Sequence, residues 1–140
     1  MFKQDGGQSV TLSSLSLEGW TNIELNAGKT SINWSNMFKG ICFNVNLLEG
    51  LKAISYNKTY TIDATEMFSN TKFFIRDGVD LSGWFSGKNS QPKLSCASYM
   101  FSDASIEGSL NVSSWDASLL YDVSYMFNNI SQVVSINMTN

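Results

Sequence analysis

Short segments in which apolar and polar residues alternate recur along the chain. In residues 110–115 the apolar positions are Leu110 and Val112, and the segment ends at Trp115. Related segments lie at 15–20, 45–50 and 79–84, and a shorter one lies at 134–136. Alternation with a period of two is typical of a strand that has one buried face. The pattern therefore predicts a series of short strands.

Between these segments, methionine and phenylalanine occur as a pair. Five of the 6 methionines are followed directly by phenylalanine, although the chain contains only 9 phenylalanines in 140 residues. The pairs are Met1-Phe2, Met37-Phe38, Met67-Phe68, Met100-Phe101 and Met126-Phe127. The stretch before each later pair is too short for a long helix, but one or two helical turns would fit. We expect these large side chains to fill the core opposite the strands.

A recurring unit of roughly thirty residues is the signature of a repeat fold. One such unit cannot bury its own strand face, whereas stacked units share a continuous core, and crossovers of this length suit parallel pairing. The sequence therefore predicts one solenoid domain, 1–140, of about four to five units. The units are approximately 1–37, 38–67, 68–100 and 101–127, with a partial unit at 128–140.

The predicted core combines the apolar strand positions, the tryptophans and the Met-Phe pairs. Its members are Leu15, Leu17, Trp20, Met37, Phe38, Val45, Leu47, Met67, Phe68, Val79, Leu81, Trp84, Met100, Phe101, Leu110, Val112, Trp115, Met126 and Phe127. Trp34 lies three residues before Met37 and is expected in the core as well. Trp20, Trp84 and Trp115 could instead form a ladder that stacks on sugar rings, but their equal position within each unit favours a core row.

If the apolar strand residues point inward, the residues between them form polar rows on the outer face. One predicted row is Ser16, Asn46, Asp80, Asn111 and Ser135, and a second is Glu18, Leu48, Ser82, Ser113 and Asn137. Repeat proteins commonly bind partners on such a face. Amide and hydroxyl groups suit a protein or glycan ligand, although the same residues could simply keep the sheet soluble.

Charge and composition narrow the choice of partners. The net charge is −3, Arg76 is the only arginine, and the lysines are scattered. A nucleic-acid groove or a polybasic membrane patch needs clustered positive charge, so neither is expected. No apolar stretch approaches the length of a spanning helix, so direct membrane insertion is not expected.

Catalysis and metal binding are limited by the absence of histidine. Ser-His and Cys-His nucleophile pairs and imidazole ligands are therefore excluded. Carboxylate pairs remain, namely Glu18 with Glu24, Asp63 with Glu66, and Asp77 with Asp80, but solvated surface charge is the simpler interpretation. The sequence thus predicts a protein that is not an enzyme and that has no cofactor and no metal site.

The cysteines and the glycosylation motifs add two further expectations. Cys42 and Cys96 fall two repeats apart, which is too far for a disulfide, so both are expected to be free and mostly buried. Asn-x-Ser/Thr motifs begin at Asn33, Asn57, Asn111, Asn129 and Asn137. They matter as glycan acceptors only in a secreted eukaryotic protein.

The last complete unit resembles the BspA-like leucine-rich repeats of bacterial surface antigens, whose unit looks like L-D-L-S-x-W-D-T-S-x-V-x-x-M-x-x-M-F. The matching residues are Leu110, Val112, Ser113, Trp115, Asp116, Ser118, Val123, Met126 and Phe127. The unit that begins at Val79 matches with an insertion, and the first two units keep only the skeleton. The resemblance implies an α/β leucine-rich-repeat-like fold, with short parallel strands on one face and short helical or irregular crossovers on the other. It also implies an adhesive or binding role at a surface, without catalytic residues.

The two ends of the repeat add one more expectation. Met1-Phe2 already stands in the register of a closing pair, and the chain ends shortly after a strand segment. Solenoids normally need capped terminal units. Either the chain is a piece of a longer solenoid, or another subunit covers its ends, and we expect self-assembly or docking into a larger assembly.

The expected function is that of an extracellular or cell-surface adhesion or recognition module, which binds through its repeat face. The alternative is a structural component of a phage virion or surface appendage, joined to its neighbours through open solenoid ends. A carbohydrate-active enzyme is a distant third.

Overall fold

The computed structural model describes residues 10–12, 20, 23–43 and 53–139, and within these ranges the chain forms strands and turns but no helix. The strands are β1 (Val10–Leu12), β2 (Ser31–Asn33), β3 (Ile41–Phe43), β4 (Thr61–Asp63), β5 (Lys72–Phe73), β6 (Val79–Asp80), β7 (Lys93–Cys96), β8 (Ser105–Asn111) and β9 (Ser131–Asn137).

The strands form two sheets in which every pair of named strands is parallel. The larger sheet has the order β1-β3-β5-β8-β6, with β9 also paired to β8, and the smaller sheet has the order β2-β4-β7. From β2 onward the chain passes repeatedly from the smaller sheet to the larger one, and each pass adds a layer on the previous layer. The protein is therefore a parallel β-solenoid of about three turns.

Six-residue corners carry the chain from the smaller sheet to the larger one, and each contains a Met-Phe pair. They span 35–40, 65–70, 98–103 and 124–129. The second residue of each corner has a left-handed φ of 53–59°: Asn36, Glu66, Tyr99 and Tyr125. The sixth residue is left-handed too: Gly40, Asn70, Asp103 and Asn129. Right-handed helix cannot continue through such residues.

The prediction of an α/β leucine-rich-repeat-like fold is therefore wrong, because the crossovers are not helical and the described chain is all-β. Side chains just before three of the four corners help to exclude a helix. Oδ1 of Asn33 accepts a hydrogen bond from the Ser35 N–H at 2.8 Å, and Asp63 and Asp122 do the same for the residues two positions later. Such bonds give the backbone N–H a partner that competes with helix formation.

The Met-Phe pairs do supply the core. Phe38, Phe68, Phe101 and Phe127 form a ladder along the solenoid, with neighbouring ring centroids 5.5–5.8 Å apart and rings nearly parallel. A second aromatic row contains Trp34, Trp84, Phe85 and Trp115, with centroid distances of 4.6–5.7 Å between successive rings. The stacked layers therefore share one continuous interior.

The predicted core residues differ in where they lie. Phe38, Met67, Phe68, Val79, Leu81, Trp84, Met100, Phe101, Leu110, Val112, Trp115 and Met126 are buried. Met37 and Phe127 are partly buried. Trp20 is 46% exposed and does not belong to the core, where the aromatic row begins instead with Trp34. Leu15, Leu17, Val45 and Leu47 lie outside the described residues.

The two cysteines are free and buried, as predicted. The reason differs from the predicted one. Cys42 lies in β3 of the larger sheet and Cys96 lies in β7 of the smaller sheet, so they are in different sheets rather than two layers apart in one row.

Close backbone contact occurs where β6 joins β8. Gly78 has a φ of +90°, and a Cβ atom at this position would lie 2.3 Å from the carbonyl oxygen of Ser109. Glycine is the residue that fits both the conformation and the space. This contact places Val79 beside Leu110 in the larger sheet.

Candidate functional site

The predicted polar rows are partly present on the larger sheet. Asp80 lies beside Asn111, and Asn111 lies beside Asn137, so these three form one row. Ser135 was expected beside Asn111 but lies beside Ser109, with the two hydroxyl oxygens 3.0 Å apart. The register of β9 is therefore shifted by two residues from the predicted one. Ser16, Glu18, Asn46 and Leu48 lie outside the described residues.

The side chains of Asp80, Asn111 and Asn137 have a structural role. Oδ1 of Asp80, Asn111 and Asn137 accepts the backbone N–H of Ser82, Ser113 and Thr139, respectively, at 2.8–3.2 Å. Each side chain thereby closes the turn that follows its strand. A polar row that looks like a ligand-binding face is thus at least partly a ladder of turn-closing residues.

The same bonds account for several glycosylation-like motifs. Asn33, Asn111 and Asn137 each bond the N–H of the serine or threonine two positions later, which is the Asn-x-Ser/Thr spacing. Asn57 instead accepts a hydrogen bond from the Tyr60 hydroxyl, and Asn129 donates to Asp103. In the first three cases turn geometry is sufficient to explain the motif.

A different candidate surface lies at the C-terminal end of the solenoid. It is formed by residues 119–139, which we call the final layer. Large apolar or aromatic side chains are exposed there, up to 75% for Tyr121 and 80% for Val134. The full set is Leu119, Tyr121, Val123, Tyr125, Val134 and Met138. Exposed apolar residues that cluster in this way mark interaction sites on soluble proteins.

A cavity of about 300 Å³ opens in this layer. Trp115, Leu120, Met126, Phe127 and Met138 contribute to its wall, and almost all of its lining is apolar. The cavity is the end of the continuous core, because Phe127 is the last ring of the phenylalanine ladder. It lies at the lower end of the size range of ligand pockets.

Backbone donors are also unused in the final layer. In the preceding corner, the N–H groups of Tyr99, Phe101 and Asp103 each donate to a carbonyl of the final corner at 2.9 Å. The equivalent donors of the final corner are the N–H groups of Tyr125, Phe127 and Asn129. In the described part of the chain these three N–H groups have no acceptor.

Strand β9 is an edge strand of unusual composition. It spans seven residues and pairs only with β8 among the described strands. Natural edge strands are commonly protected by lysine or other charges or by proline. β9 contains neither, and residues 123–139 contain no charged residue at all. Its composition therefore does nothing to prevent another strand from pairing with it.

Charge is instead placed beside the final layer. Lys93 Nζ lies 2.7 Å from Asp116 Oδ2, and the Ser118 N–H donates to the other carboxylate oxygen at 2.9 Å. The hydrogen bonds from Lys93 and from Ser118 hold the pKa of Asp116 well below its usual range. Next to this ion pair lies a polar depression of about 400 Å³ lined by Lys88 and several serines.

Three of the carboxylates considered from the sequence make other interactions. Asp63 accepts hydrogen bonds from the N–H and hydroxyl of Thr65, and Glu66 pairs with Lys39. Asp80 closes its own turn, and Glu18 lies outside the described residues. Among the described residues no group of three or more acidic residues or cysteines could hold a metal ion. Nor do those residues include a helix that is long and apolar enough to span a membrane.

Comparison of the chain with protein-family models, with curated proteins and with solved structures gave no match. The geometry of the final layer is therefore the observation that bears most directly on function.

The predicted binding residues do not include the final layer's exposed apolar residues, although open solenoid ends were expected. The signal that could have found the surface is the absence of charge after Asp122, combined with aromatic and aliphatic residues at positions that a next layer would cover.

Proposed function

We propose that this protein is a non-enzymatic binding and assembly module that joins a neighbouring polypeptide through its final layer. The observation that carries the proposal is that the final layer combines exposed apolar side chains, an uncharged edge strand and backbone N–H groups without an acceptor among the described residues.

Strand addition is a recognition mode that uses these features together. Main-chain hydrogen bonds to a sheet edge supply affinity, and pockets for side chains supply specificity. In the final layer β9 offers the edge and the cavity beside Phe127 offers the pocket. Burial of apolar surface adds roughly 25 cal/mol per Å².

The proposed location is the cell surface or another extracellular setting. The likeness of the last complete unit to repeats of bacterial surface antigens supports this proposal. The alternative is a virion or surface appendage, in which solenoids joined end to end would act as structural elements.

A second candidate function is recognition of a polar ligand by the row Asp80, Asn111 and Asn137. It is favoured by the carboxamide NH₂ groups of Asn111 and Asn137, whose oxygens close turns while their nitrogens make no hydrogen bond in the described part of the chain. A glycan or a peptide backbone could accept from these groups. Screening the wild type and Asn111→Asp on a glycan array tests this candidate. The substitution keeps the turn-closing oxygen and removes the donor, so it should abolish any specific signal.

The main proposal can be tested without knowledge of the natural partner. A displayed library of random peptides would be selected on the immobilised chain and counter-selected on the variant Val134→Lys. This substitution adds a charge to the exposed edge strand without disturbing the core. The matched control is Phe74→Lys, because Phe74 is also an exposed apolar residue but does not belong to the final layer.

Recovered peptides should bind the wild type and Phe74→Lys equally, and should bind Val134→Lys at least about tenfold more weakly. Absence of enrichment, or equal binding to all three proteins, would overturn the proposal.

A further inference from the structure

A polar depression of about 400 Å³ lies between the connection from β6 to β7 and the segment that follows β8. Ser86 and Lys88 line it from the connection, and Ser114, Trp115 and Asp116 line it from the segment. Its described lining includes no residue of the final layer and none of the turn-closing row on the larger sheet. Its volume lies within the range of ligand pockets, which is about 300–1,000 Å³. The depression is therefore a candidate site that is distinct from both surfaces discussed above.

The insertion in the unit that begins at Val79 forms a closed loop, 87–92, beside the depression. The Gly87 N–H donates to the Pro92 carbonyl at 3.2 Å and closes the loop. Between these two residues, Asn89 and Ser90 both have a left-handed φ, of 51° and 62°. Residues other than glycine that are held in this conformation cost free energy and cluster at functional sites. The loop therefore has one defined shape, which fixes the backbone position of the lysine that it carries.

An ion pair supports the loop and neutralises the carboxylate of the depression. Lys93 Nζ lies 2.7 Å from Asp116 Oδ2 and 3.2 Å from Ser118 Oγ, and the Ser118 N–H donates to Asp116 Oδ1. A Cβ atom on Gly87 would lie 2.8 Å from Lys93 Cε, so the loop packs directly against this pair. Each oxygen of Asp116 already has a donor, and its negative charge is balanced by Lys93. Asp116 therefore repels an anion in the depression only weakly.

The polar groups of the depression that remain available are donors. Lys88 is exposed and forms no ion pair with a described carboxylate, so its ammonium group has three protons to donate. Ser86 Oγ accepts the Lys88 N–H at 3.4 Å and keeps its own proton, and the Ser114 hydroxyl makes no hydrogen bond in the described part of the chain. One positive charge and two hydroxyls around the same space suit a carboxylate, because hydrogen bonds to an ionised group are about twice as strong as neutral ones.

The apolar part of the lining favours a sugar over a simple anion. The Trp115 Nε1–H donates to the Leu81 carbonyl at 2.8 Å, so the indole is held in one orientation and offers the depression carbon atoms rather than a donor. Ala117 adds a methyl group to the same wall. A sugar ring matches this mixture, since its C–H groups pack on aromatic rings while its oxygens form hydrogen bonds. An inorganic anion would leave the apolar wall uncovered.

We propose that the depression binds one acidic sugar unit of a glycan. The sugar ring lies against Trp115 and Ala117. Its carboxylate accepts hydrogen bonds from the ammonium group of Lys88 and from the hydroxyls of Ser86 and Ser114. The site uses a surface other than the final layer, so this proposal stands or falls independently of the proposed function.

The test is an NMR titration of the full chain that follows the backbone amides of Ser86, Lys88 and Ser114 and the indole N–H of Trp115. The probes are the methyl glycosides of glucuronic acid, galacturonic acid and N-acetylneuraminic acid. Methyl glucoside is the control for a sugar without a carboxylate, and sodium sulfate is the control for an anion without a sugar. Lys88→Gln and Ser114→Ala each remove one proposed donor. The matched control is Lys72→Gln, because Lys72 is also an exposed lysine but lies in β5 of the larger sheet.

At least one acidic glycoside should shift these four signals, and should bind at least about tenfold more tightly than methyl glucoside and than sulfate. Lys88→Gln should weaken this binding at least about tenfold, because it removes a charged donor from a charged acceptor. Ser114→Ala removes a neutral donor and should weaken the binding about three- to tenfold. Lys72→Gln should leave the affinity unchanged.

Failure of every acidic glycoside to shift these signals, or equal affinity for methyl glucoside, would overturn the proposal. Sulfate binding as tight as that of the sugars would overturn it as well, because the depression would then be an anion site only. Full affinity in Lys88→Gln would contradict the assigned role of the ammonium group. Since Lys88 is exposed, this substitution should leave the remaining amide signals in place, and the spectrum of the variant verifies that its fold is intact.

Discussion

The corner at 98–103 and the corner at 124–129 share the sequence Ser-Tyr-Met-Phe and the same backbone conformation, yet their surroundings differ. In the first corner Met100 and Phe101 are fully buried, and three N–H groups donate to the next layer. In the second, Phe127 is partly exposed and the equivalent N–H groups have no acceptor among the described residues. Local sequence thus determines the shape of a corner, whereas the presence of a following layer determines whether that corner is core or surface.

The two tyrosines of these corners make the same point. Tyr99 and Tyr125 stack on each other at 4.8 Å between ring centroids, although both are exposed and both have a left-handed φ. Bulky residues rarely adopt that conformation. The two corners have the same backbone conformation, and this conformation places the Tyr125 ring against the Tyr99 ring of the previous layer.

The largest expected difference between the two corners concerns the phenylalanine ladder. Phe101→Ala removes a fully buried ring that is stacked on both sides, and should lower the free energy of unfolding by about 3–5 kcal/mol. Phe127→Ala removes a partly exposed ring stacked on one side, and should cost roughly 1–2 kcal/mol. Urea denaturation of both variants measures the difference, and equal losses would show that the final layer is not open in solution.

A second expected effect concerns the interior junction of β6 and β8. Gly78→Ala places a methyl group 2.3 Å from the Ser109 carbonyl oxygen, and should cost roughly 2–4 kcal/mol through strain and backbone displacement. Gly83→Ala is the matched control, because its φ is +68° but nothing lies within 4 Å of the added atom, so only about 1–2 kcal/mol is expected. Thermal unfolding of the two variants measures the difference. Equal destabilisation would mean that the close approach at Gly78 contributes nothing beyond the conformational penalty.

The smallest expected effect is a pH dependence at the start of the final corner. The backbone N–H of Ser124, and then its hydroxyl, hydrogen-bond to Asp122 and lower the pKa of this carboxyl. Because the folded-state pKa lies below the unfolded value of about 3.9, the stabilisation is present above that value and is lost as the pH falls through the folded-state pKa.

Asp122→Asn should keep the turn, since Asn33 closes the equivalent turn at 2.8 Å, and should remove the titration. The difference in stability between wild type and variant should therefore shrink as the pH is lowered from 7 toward 3. Denaturant unfolding across this pH range measures the difference in stability. Asp103 and Asp116 are present in both proteins, so their contributions to the difference cancel. A difference that is constant across the range would contradict the assignment.

Part of the architecture could be predicted because it depends on periodicity. The Met-Phe spacing and the alternating segments correctly indicated parallel stacking, and Val79 and Leu110 lie side by side in the larger sheet. The register of β9 could not be predicted from alternation, since Val134 and Ile136 suit it equally well. Gln132 adopts a left-handed φ, and the pairing of β9 with β8 is irregular, so the observed register places Ile136, not Val134, beside Leu110.

The crossovers were assigned wrongly because a Met-Phe pair in a short mixed segment is compatible with either a helical turn or a strand-to-strand corner. Polar residues before three of the four described pairs, such as Asn33 and Asp122, close turns, but the same residue types also cap helices. Only the left-handed residues of the stacked corners decide between the two, and Glu66 or Tyr99 would not suggest that conformation from the sequence.

The amino-acid sequence by itself determined that similar layers pile up around an apolar interior, because one such unit cannot bury its own apolar face. The tertiary structure decided that the described layers are all-β and that corner N–H groups donate toward the C-terminal end. It also decided that the last corner's N–H groups lie beside apolar side chains and find no acceptor in the described part of the chain. These properties arise from contacts between residues about thirty positions apart, and no local pattern encodes which layer lacks a neighbour.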